Sequence, residues 1–412
     1  MKQLAALLTL AALLLAVPIL RAADDDPAAA VSDDADPSPA ETPATAPPTN
    51  PTYIEGRGFD FKTADGLFDL AIGANLQVRF SDLDVDGVGT ATEFRVRRFK
   101  LYFTGSVFDP RLTYRFQIAF ENPNNVRLLD DAYFGWKFAE LLQIQAGQSK
   151  TPYGRQELMN DGVLMFAERS IAIDAFKPNR DIGVSVLGFS PGSVFQYAFG
   201  VFGGDGQGTL RATDHVMPMA RVVWSTFGDA RVGEPDLSRS LVPRFSIGAD
   251  AFYNVLKKST GTAFESTFPN YASATGWLGQ NAALFQTGEN VEIVSASVDT
   301  QFAWAGLTFQ GEYMIAHAKG ETSNVNLNAR GFYGEASFML LSRLGLACRY
   351  SSIDSNRSVS GDQQSEINSS VNWYFRKHNA KMLFEYSTLH RQKALLEPAN
   401  DHFVRVQFQL YM

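Results

Sequence analysis

From residue 67 to the last residue, apolar and polar positions alternate with a period of two. Phe68, Leu70, Ile72, Ala74, Leu76, Val78 and Phe80 stand against Asp69, Ala71, Gly73, Asn75, Gln77 and Arg79. Successive side chains of a strand point to opposite faces, so one face here is apolar for seven consecutive positions. The pattern returns in Leu112, Tyr114, Phe116, Ile118 and Phe120, in Leu307, Phe309, Tyr313 and Ile315, and in Met382, Phe384 and Tyr386. It predicts sixteen strands, at 67–80, 94–107, 111–121, 129–138, 141–149, 181–189, 194–202, 216–225, 243–254, 291–304, 306–317, 331–341, 343–353, 365–376, 379–390 and 402–412. Most reach the roughly 9–11 tilted residues that cross a bilayer, and an even number closes a barrel with both ends on one side.

Connections alternate too. Asp109-Pro110, Ser190-Pro191-Gly192, Ala305-Gly306, Ser342-Arg343 and the stretch from Arg376 to Asn379 are tight turns. Between them come longer loops at 81–93, 122–128, 150–180, 203–215, 255–290, 318–330, 354–364 and 391–401. Short periplasmic turns and long extracellular loops are the rule for outer-membrane barrels. The connection 226–242 breaks the rhythm, being long where it should be short. The last strand carries Val404, Val406, Phe408, Leu410 and Met412 on one face, the apolar ending that barrel-insertion machinery reads. The competing architecture is a soluble all-β sandwich or jelly roll, which alternates equally well. The turn rhythm, the C-terminal strand and a leader segment favour the all-β transmembrane antiparallel barrel of about sixteen strands.

That leader is residues 1–23, read as a signal peptide: Lys2 is its basic end, Leu4 to Leu20 its apolar run, and Ala22 and Ala23 small residues near the cleavage point. Residues 24–55 are rich in Asp, Pro, Ala and Thr and predict a disordered acidic linker, leaving 56–412 as the barrel domain. The linker dominates the charge balance. Without the two basic residues of the leader and the eight acids from Asp24 to Glu55, residues 56–412 hold 34 basic and 36 acidic side chains, a net of −2 against −8 for the chain. No later run of 18 apolar residues suits a helical membrane bundle. The single cysteine, Cys348, rules out an internal disulfide framework.

In a membrane barrel the apolar parity faces lipid and the polar parity lines the lumen. Arg79, Arg98, Lys100, Arg115 and Lys137 then point inward from the early strands, opposed by Asp69, Glu121 and Asp131. The later strands turn in Asp250, Asp299, Glu312, Glu335, Glu366 and Glu385, relieved by Arg221, Arg349 and Arg405. The expected lumen is therefore lopsided, basic on one wall and acidic on the other. Along Phe94-Arg95-Val96-Arg97-Arg98-Phe99-Lys100 the parity breaks: Phe99 and Leu101 set one face, Phe94 and Val96 the other. That predicts a bulge or a strand end near Arg97. Cations lining a low-dielectric channel concentrate anions; alternatively they pair with carboxylates across the lumen and only keep it hydrated.

The connection 150–180 offers Lys150, Arg155, Arg169, Lys177 and Arg180 against Glu157, Asp161, Glu168 and Asp174, and its stretch Val163-Leu164-Met165-Phe166 can pack against an inner wall. It is the candidate constriction loop. The glycine-rich Phe202-Gly203-Gly204-Asp205-Gly206-Gln207-Gly208 precedes no helix pattern and reads as a turn rather than a phosphate cradle. The five histidines, His215, His317, His378, His390 and His402, form no catalytic or metal-ligand spacing, so no enzyme activity, metal or cofactor is expected.

From about Gly58 to Met412 the chain resembles the phosphate-selective porin O/P family. The resemblance rests on Phe94-Arg-Val-Arg-Arg-Phe-Lys-Leu, Asp130-Asp131-Ala132-Tyr133, and the run Gly147-Gln148-Ser149-Lys150-Thr151-Pro152-Tyr153-Gly154. Further along come Glu168-Arg169-Ser170, Asn179-Arg180-Asp181-Ile182-Gly183-Val184 and Gly200-Val201-Phe202-Gly203-Gly204. The resemblance implies a sixteen-strand barrel in the outer membrane, a homotrimer with both termini periplasmic, and passive diffusion of small anions such as phosphate or polyphosphate, with no nucleic acid as partner. The anion-binding candidates are Arg79, Arg98, Lys100, Arg115, Lys137, Lys150, Arg155, Arg169 and Arg180. A general diffusion or sugar-conducting porin is the alternative within the transport class. An envelope tether acting through the acidic linker is the alternative of another class.

Overall fold

The computed structural model describes residues 52–412 apart from 55, 121–127, 209–213, 227–232, 262, 267, 269, 394 and 395. The leader 1–23, residues 24–51 of the acidic segment, and Glu121 lie outside the described residues. Two short strands, β1 (Thr52–Ile54) and β2 (Gly58–Lys62), precede sixteen longer ones. These are β3 (Asp69–Val85), β4 (Gly89–Val107), β5 (Asp109–Ala119), β6 (Leu129–Ala139), β7 (Leu142–Lys150), β8 (Arg180–Phe189), β9 (Phe195–Phe202) and β10 (Met217–Thr226). The second half comprises β11 (Arg244–Lys257), β12 (Asn290–Trp304), β13 (Leu307–Gly320), β14 (Asn326–Leu341), β15 (Leu344–Asp354), β16 (Gln363–Arg376), β17 (Ala380–Lys393) and β18 (Leu396–Tyr411). Each of β3 to β17 pairs antiparallel with its successor, and β18 returns to β3 through Gln409↔Gln77 and Gln407↔Arg79. The result is a closed sixteen-strand antiparallel barrel. Closure gives each of β3 to β18 a neighbour on both sides, as lipid offers an unpaired backbone group no partner.

Side-chain parity follows the alternation. Asn75, Gln77 and Arg79 are buried inside while Val78 is 42% exposed on the outer face. The expected break near Arg97 is a bulge: Gln77 pairs with Arg98 but Val78 with Val96. Arg97 is the extra residue, so Arg97 and Arg98 both serve the lumen.

Two expectations need correction. The segment 24–55 is not all linker, because Thr52–Ile54 is a strand and pairs with β2. β2 continues the edge of β3 where β18 stops: Met412 and Ala74 exchange backbone hydrogen bonds, and Phe59↔Ile72 to Lys62↔Asp69 take over beyond them. Strands this short show too few alternations to stand out. Secondly, 81–93 and 391–401 are mostly strand. β3 and β4 run on as a hairpin in which Asp82 faces Thr92 and Leu83 faces Ala91, and its glycines and acids give the stretch the composition of a loop. The connection 226–242 is long, as its sequence indicates, with flanking strands that meet it at Thr226 and Arg244. Its buried Glu234 and Asp236 show that it folds inward from the turn end of the barrel.

Candidate functional site

The connection between β7 and β8 folds into the lumen. Gly154 starts its inward course with φ 72°, in the left-handed region, and a Cβ there would meet the side chain of Ile173. A short helix α1 (Arg155–Leu158) follows, then a single 3₁₀ turn capped by Asn160, whose Oδ1 accepts from Gly162 N at 2.8 Å. Helix α2 (Ile171–Phe176) is capped by Ser170 Oγ, which accepts from Ile173 N at 3.1 Å. Its apolar residues sink into the second half of the barrel, where Phe176 stacks on Trp277 of the 258–289 connection with centroids 6.0 Å apart. Leu164, Met165 and Phe166 are buried, and Met165 packs with Met339, Tyr374 and Leu237.

The loop is bound on both sides, by opposite chemistry. Toward the acidic wall it presents donors: Gly154 N to Asp250 at 3.1 Å, Arg155 Nε to Asp299 at 2.6 Å, Gln156 Nε2 to Glu335 at 3.3 Å and Ala167 N to Glu385 at 2.7 Å. Arg221 adds contacts to Asp250 and Asp299. From the turn end, Glu234 accepts from Gln156 Nε2 at 2.8 Å and from Met165 N, bracing the loop from below. Toward the basic wall the loop presents carboxylates. Asp161 takes Lys100 of the wall at 2.8 Å and Glu157 faces Lys150 at 3.7 Å, while within the loop Arg169 holds Asp161 at 2.5 Å and Lys177 holds Glu157 at 2.6 Å. Glu168 takes Arg79 and Arg97 at 2.6 Å and Arg98 at 2.8 Å.

Burial alone would raise the carboxyl pKa of these three acids. For Glu157 the charges of Lys150, Lys177 and Arg169 outweigh it and hold the group below the usual carboxylate range. Lys100, Arg169 and Arg98 do the same for Asp161, and Arg98, Arg97 and Arg79 for Glu168.

What remains open is a string of cavities along the basic wall. At the loop end about 360 Å³ is lined by Arg97, Arg98, Lys100, Glu168, Arg169 and Arg180, among others. A second cavity of about 360 Å³ lies between Lys100, Arg115, Asp131 and Arg180 on the strands and Leu158, Asn160 and Asp161 on the loop. A third, of about 230 Å³, continues toward the turn end between Leu158, Leu187, Phe189, Arg221 and Val223. Lys150 lines all three. Its Nζ donates to the carbonyl oxygens of Glu157 and, at 3.1 Å, Met159, so it marks the waist between strand wall and loop. The acidic wall is sealed behind the loop: Asp250, Asp299, Glu312, Glu366 and Glu385 are all buried and line none of these cavities.

The candidate residues therefore divide. Arg98, Lys100, Arg115, Lys150, Arg169 and Arg180 line the cavities. Arg79 does not: it is 1% exposed beneath the loop, holding Gln407 and Glu168. Arg155 is turned away from the cavities into the acidic wall, because it follows Gly154 at the point where the chain enters the lumen. Lys137 sits at the rim, paired with Glu140 on the turn at 2.5 Å. Arg97 was absent from the candidates although the parity break at Val96 marked its place. Asp250, Asp299 and Glu312 lie close enough together to suit a metal ion, but Arg221 and Arg155 already fill the space between the carboxylates.

Residues 70–412 match the family described as phosphate-selective porin O and P. The chain belongs to that family. It is thus an outer-membrane porin. Among solved structures it resembles the anion-selective porin from Comamonas acidovorans, at 10% identity and a TM-score of 0.58, covering 83% of this chain and 99% of that one. It also resembles the outer membrane channel DcaP of Acinetobacter baumannii, at 12% identity and a TM-score of 0.55, covering 85% and 99%. OmpT of Vibrio cholerae in its trimer form follows at 10% identity and a TM-score of 0.55, covering 83% and 99%. At such identities the likeness is one of fold. No curated protein matches the chain in sequence.

Proposed function

We propose that this porin is a water-filled channel for passive diffusion of small anions, which travel along the basic wall past Lys150. One observation carries the reading: the cavities follow the cationic strands β4 to β8, while Asp250, Asp299, Glu312, Glu366 and Glu385 of the second half are buried behind the loop. Anions then meet a positive surface inside a low-dielectric wall, which raises their local concentration. The near-neutral charge of the barrel domain does not oppose this, because those five acids are kept away from the cavities. The name of the Comamonas porin, anion-selective, agrees with it.

Phosphate is the narrower reading. It draws on the family description and on the guanidinium groups of Arg97, Arg98, Arg115 and Arg180, which match oxyanions in shape. All four of these cations also touch a carboxylate: Arg97 and Arg98 touch Glu168, Arg115 touches Asp131 at 3.1 Å and Arg180 the same residue at 2.6 Å. That favours a general anion channel over a tight phosphate site. The functional unit we propose is a homotrimer exported by the leader 1–23, with short turns and both termini periplasmic; the trimeric OmpT of Vibrio cholerae supports the assembly. Reversal potentials in planar bilayers under a KCl gradient test the reading. Anion preference is expected, and a cation-selective or unselective pore would refute it.

A further inference from the structure

Glu168 holds a position that diffusion along a basic wall does not require. Its side chain is 27% exposed to the upper cavity, yet its carboxylate gathers Arg79 Nη1 at 2.6 Å, Arg97 Nε at 2.6 Å and Arg98 Nη2 at 2.8 Å. Three guanidinium groups converging on one carboxylate have the geometry of an oxyanion receptor. Arg98 also approaches Asp161 at 3.5 Å, so the cluster meets two loop acids, and Glu168 is the one that all three arginines share. The bulge at Arg97 creates the cluster, since a regular strand would send one of two successive arginines to the lipid side.

The receptor is built independently of its occupant. Arg79 is aimed by Gln407, whose Oε1 accepts from Nε at 2.9 Å and from Nη2 at 2.6 Å. The loop backbone beside Glu168 is also held without the carboxylate. Ala167 O accepts from Arg79 Nη2 at 2.7 Å, Glu168 O accepts from Arg349 Nη1 at 3.1 Å, and Ala167 N donates to Glu385 at 2.7 Å. The side chain can therefore leave the arginines while the loop stays docked, and the adjoining cavity of about 360 Å³ gives it somewhere to go.

We propose that Glu168 is a tethered competitor: its carboxylate occupies an oxyanion site formed by Arg79, Arg97 and Arg98, and permeating anions exchange against it. The inference rests on the anion-channel reading and adds the device that sets how long an anion stays. Conduction needs a site attractive enough to enter and weak enough to leave. A carboxylate fixed at high local concentration lowers the apparent affinity of three arginines without removing their charge from the pathway.

The test uses the full-length porin in planar bilayers, with inorganic phosphate added to KCl and the chloride current recorded. Glu168→Gln removes the competing charge and keeps the shape. It should lower the phosphate concentration that halves the current by about tenfold or more, the scale of one or two charge-assisted hydrogen bonds. Glu168→Asp keeps a carboxylate and should stay near the native value, and adding Arg97→Gln to Glu168→Gln should abolish the gain. If Glu168→Gln does not assemble, Glu168→Ala serves for the same comparison. A conducting Glu168 variant whose phosphate response stays within about twofold of native, or a gain that survives loss of Arg97, overturns the proposal. A native pore that prefers cations would instead remove the channel reading itself, whatever the variants do.

Discussion

Lys100 Nζ lies 2.8 Å from Oδ2 of Asp161, so a strand of the barrel wall and the inward loop share one ion pair. Arg98 approaches the same carboxylate at 3.5 Å and Glu168 at 2.8 Å. Wall and loop are thus one electrostatic unit, and a selectivity filter belonging to either alone does not describe it. Replacing Arg98 and Lys100 together by Gln removes two cations and leaves Asp161 and Glu168 with fewer partners, so both changes push toward cations. The reversal potential should shift strongly toward cation permeability. The shift should be larger at about 0.1 M salt than at about 1 M, where the screening length falls from roughly 10 Å to 3 Å. An unchanged potential at low salt, with conductance intact, would count against this wall.

The loop carboxylates make a pH prediction. Glu157, Asp161 and Glu168 are held below the usual carboxylate range by the surrounding cations, against the opposing effect of burial. A group whose folded pKa is depressed contributes stability above its unfolded pKa and loses it only as pH falls through the lower folded value. The loop should stay docked, and the current–voltage behaviour flat, from about pH 7 down to about pH 4, where ordinary exposed carboxylates are already titrating. Protonating them would unmask cations. A rise in anion preference already between about pH 5.5 and 4.5 would therefore contradict the assignment.

Arg221 is the hinge of charge balance on the opposite wall. It contacts Asp250 and Asp299, the latter at 2.6 Å, and all three are buried. Arg221→Gln leaves those carboxylates with Arg155 as the remaining guanidinium, and removing one partner of a buried ion pair costs about 3–5 kcal/mol. The variant should lose its folded, SDS-resistant form at clearly lower temperature. Adding Asp250→Asn should restore much of the loss, because the stranded charge goes with it. If the single variant melts with the native protein, the cluster is not balanced as described.

How far these features could be read beforehand depends on their range along the chain. Each of β3 to β18 overlaps a segment of apolar alternation, because lipid on one side and a polar lumen on the other impose the period directly. The bulge at Arg97 was visible for the same reason, as a break between Val96 and Phe99. Lys137 stands only three residues before Glu140, and that nearness to a turn already argued for the rim. The sealing of the acidic wall had no such signature. Nothing local to Asp250 or Glu385 announces that Gly154 N and Ala167 N will reach them, since those contacts depend on the course of a loop about a hundred or more residues away. The side that Arg155 takes depends on the left-handed backbone of Gly154, one residue earlier, for the same reason.

Lys150 offers the sharpest separation between waist and rim. It lines all three cavities and ties the wall to the carbonyl oxygens of Glu157 and Met159, whereas Lys137 lies at the turn end beside Glu140. Both substitutions, Lys150→Gln and Lys137→Gln, remove one positive charge from the lumen side of the barrel. If charge anywhere in the lumen sets selectivity, the two variants should behave alike. If the waist sets it, Lys150→Gln should lower the anion-to-cation permeability ratio severalfold and Lys137→Gln should change it little, because an exposed charge at the rim is screened within about 8 Å at physiological salt. Single-channel recordings of both variants under one KCl gradient decide between these outcomes. Equal shifts would place the filter elsewhere than at Lys150.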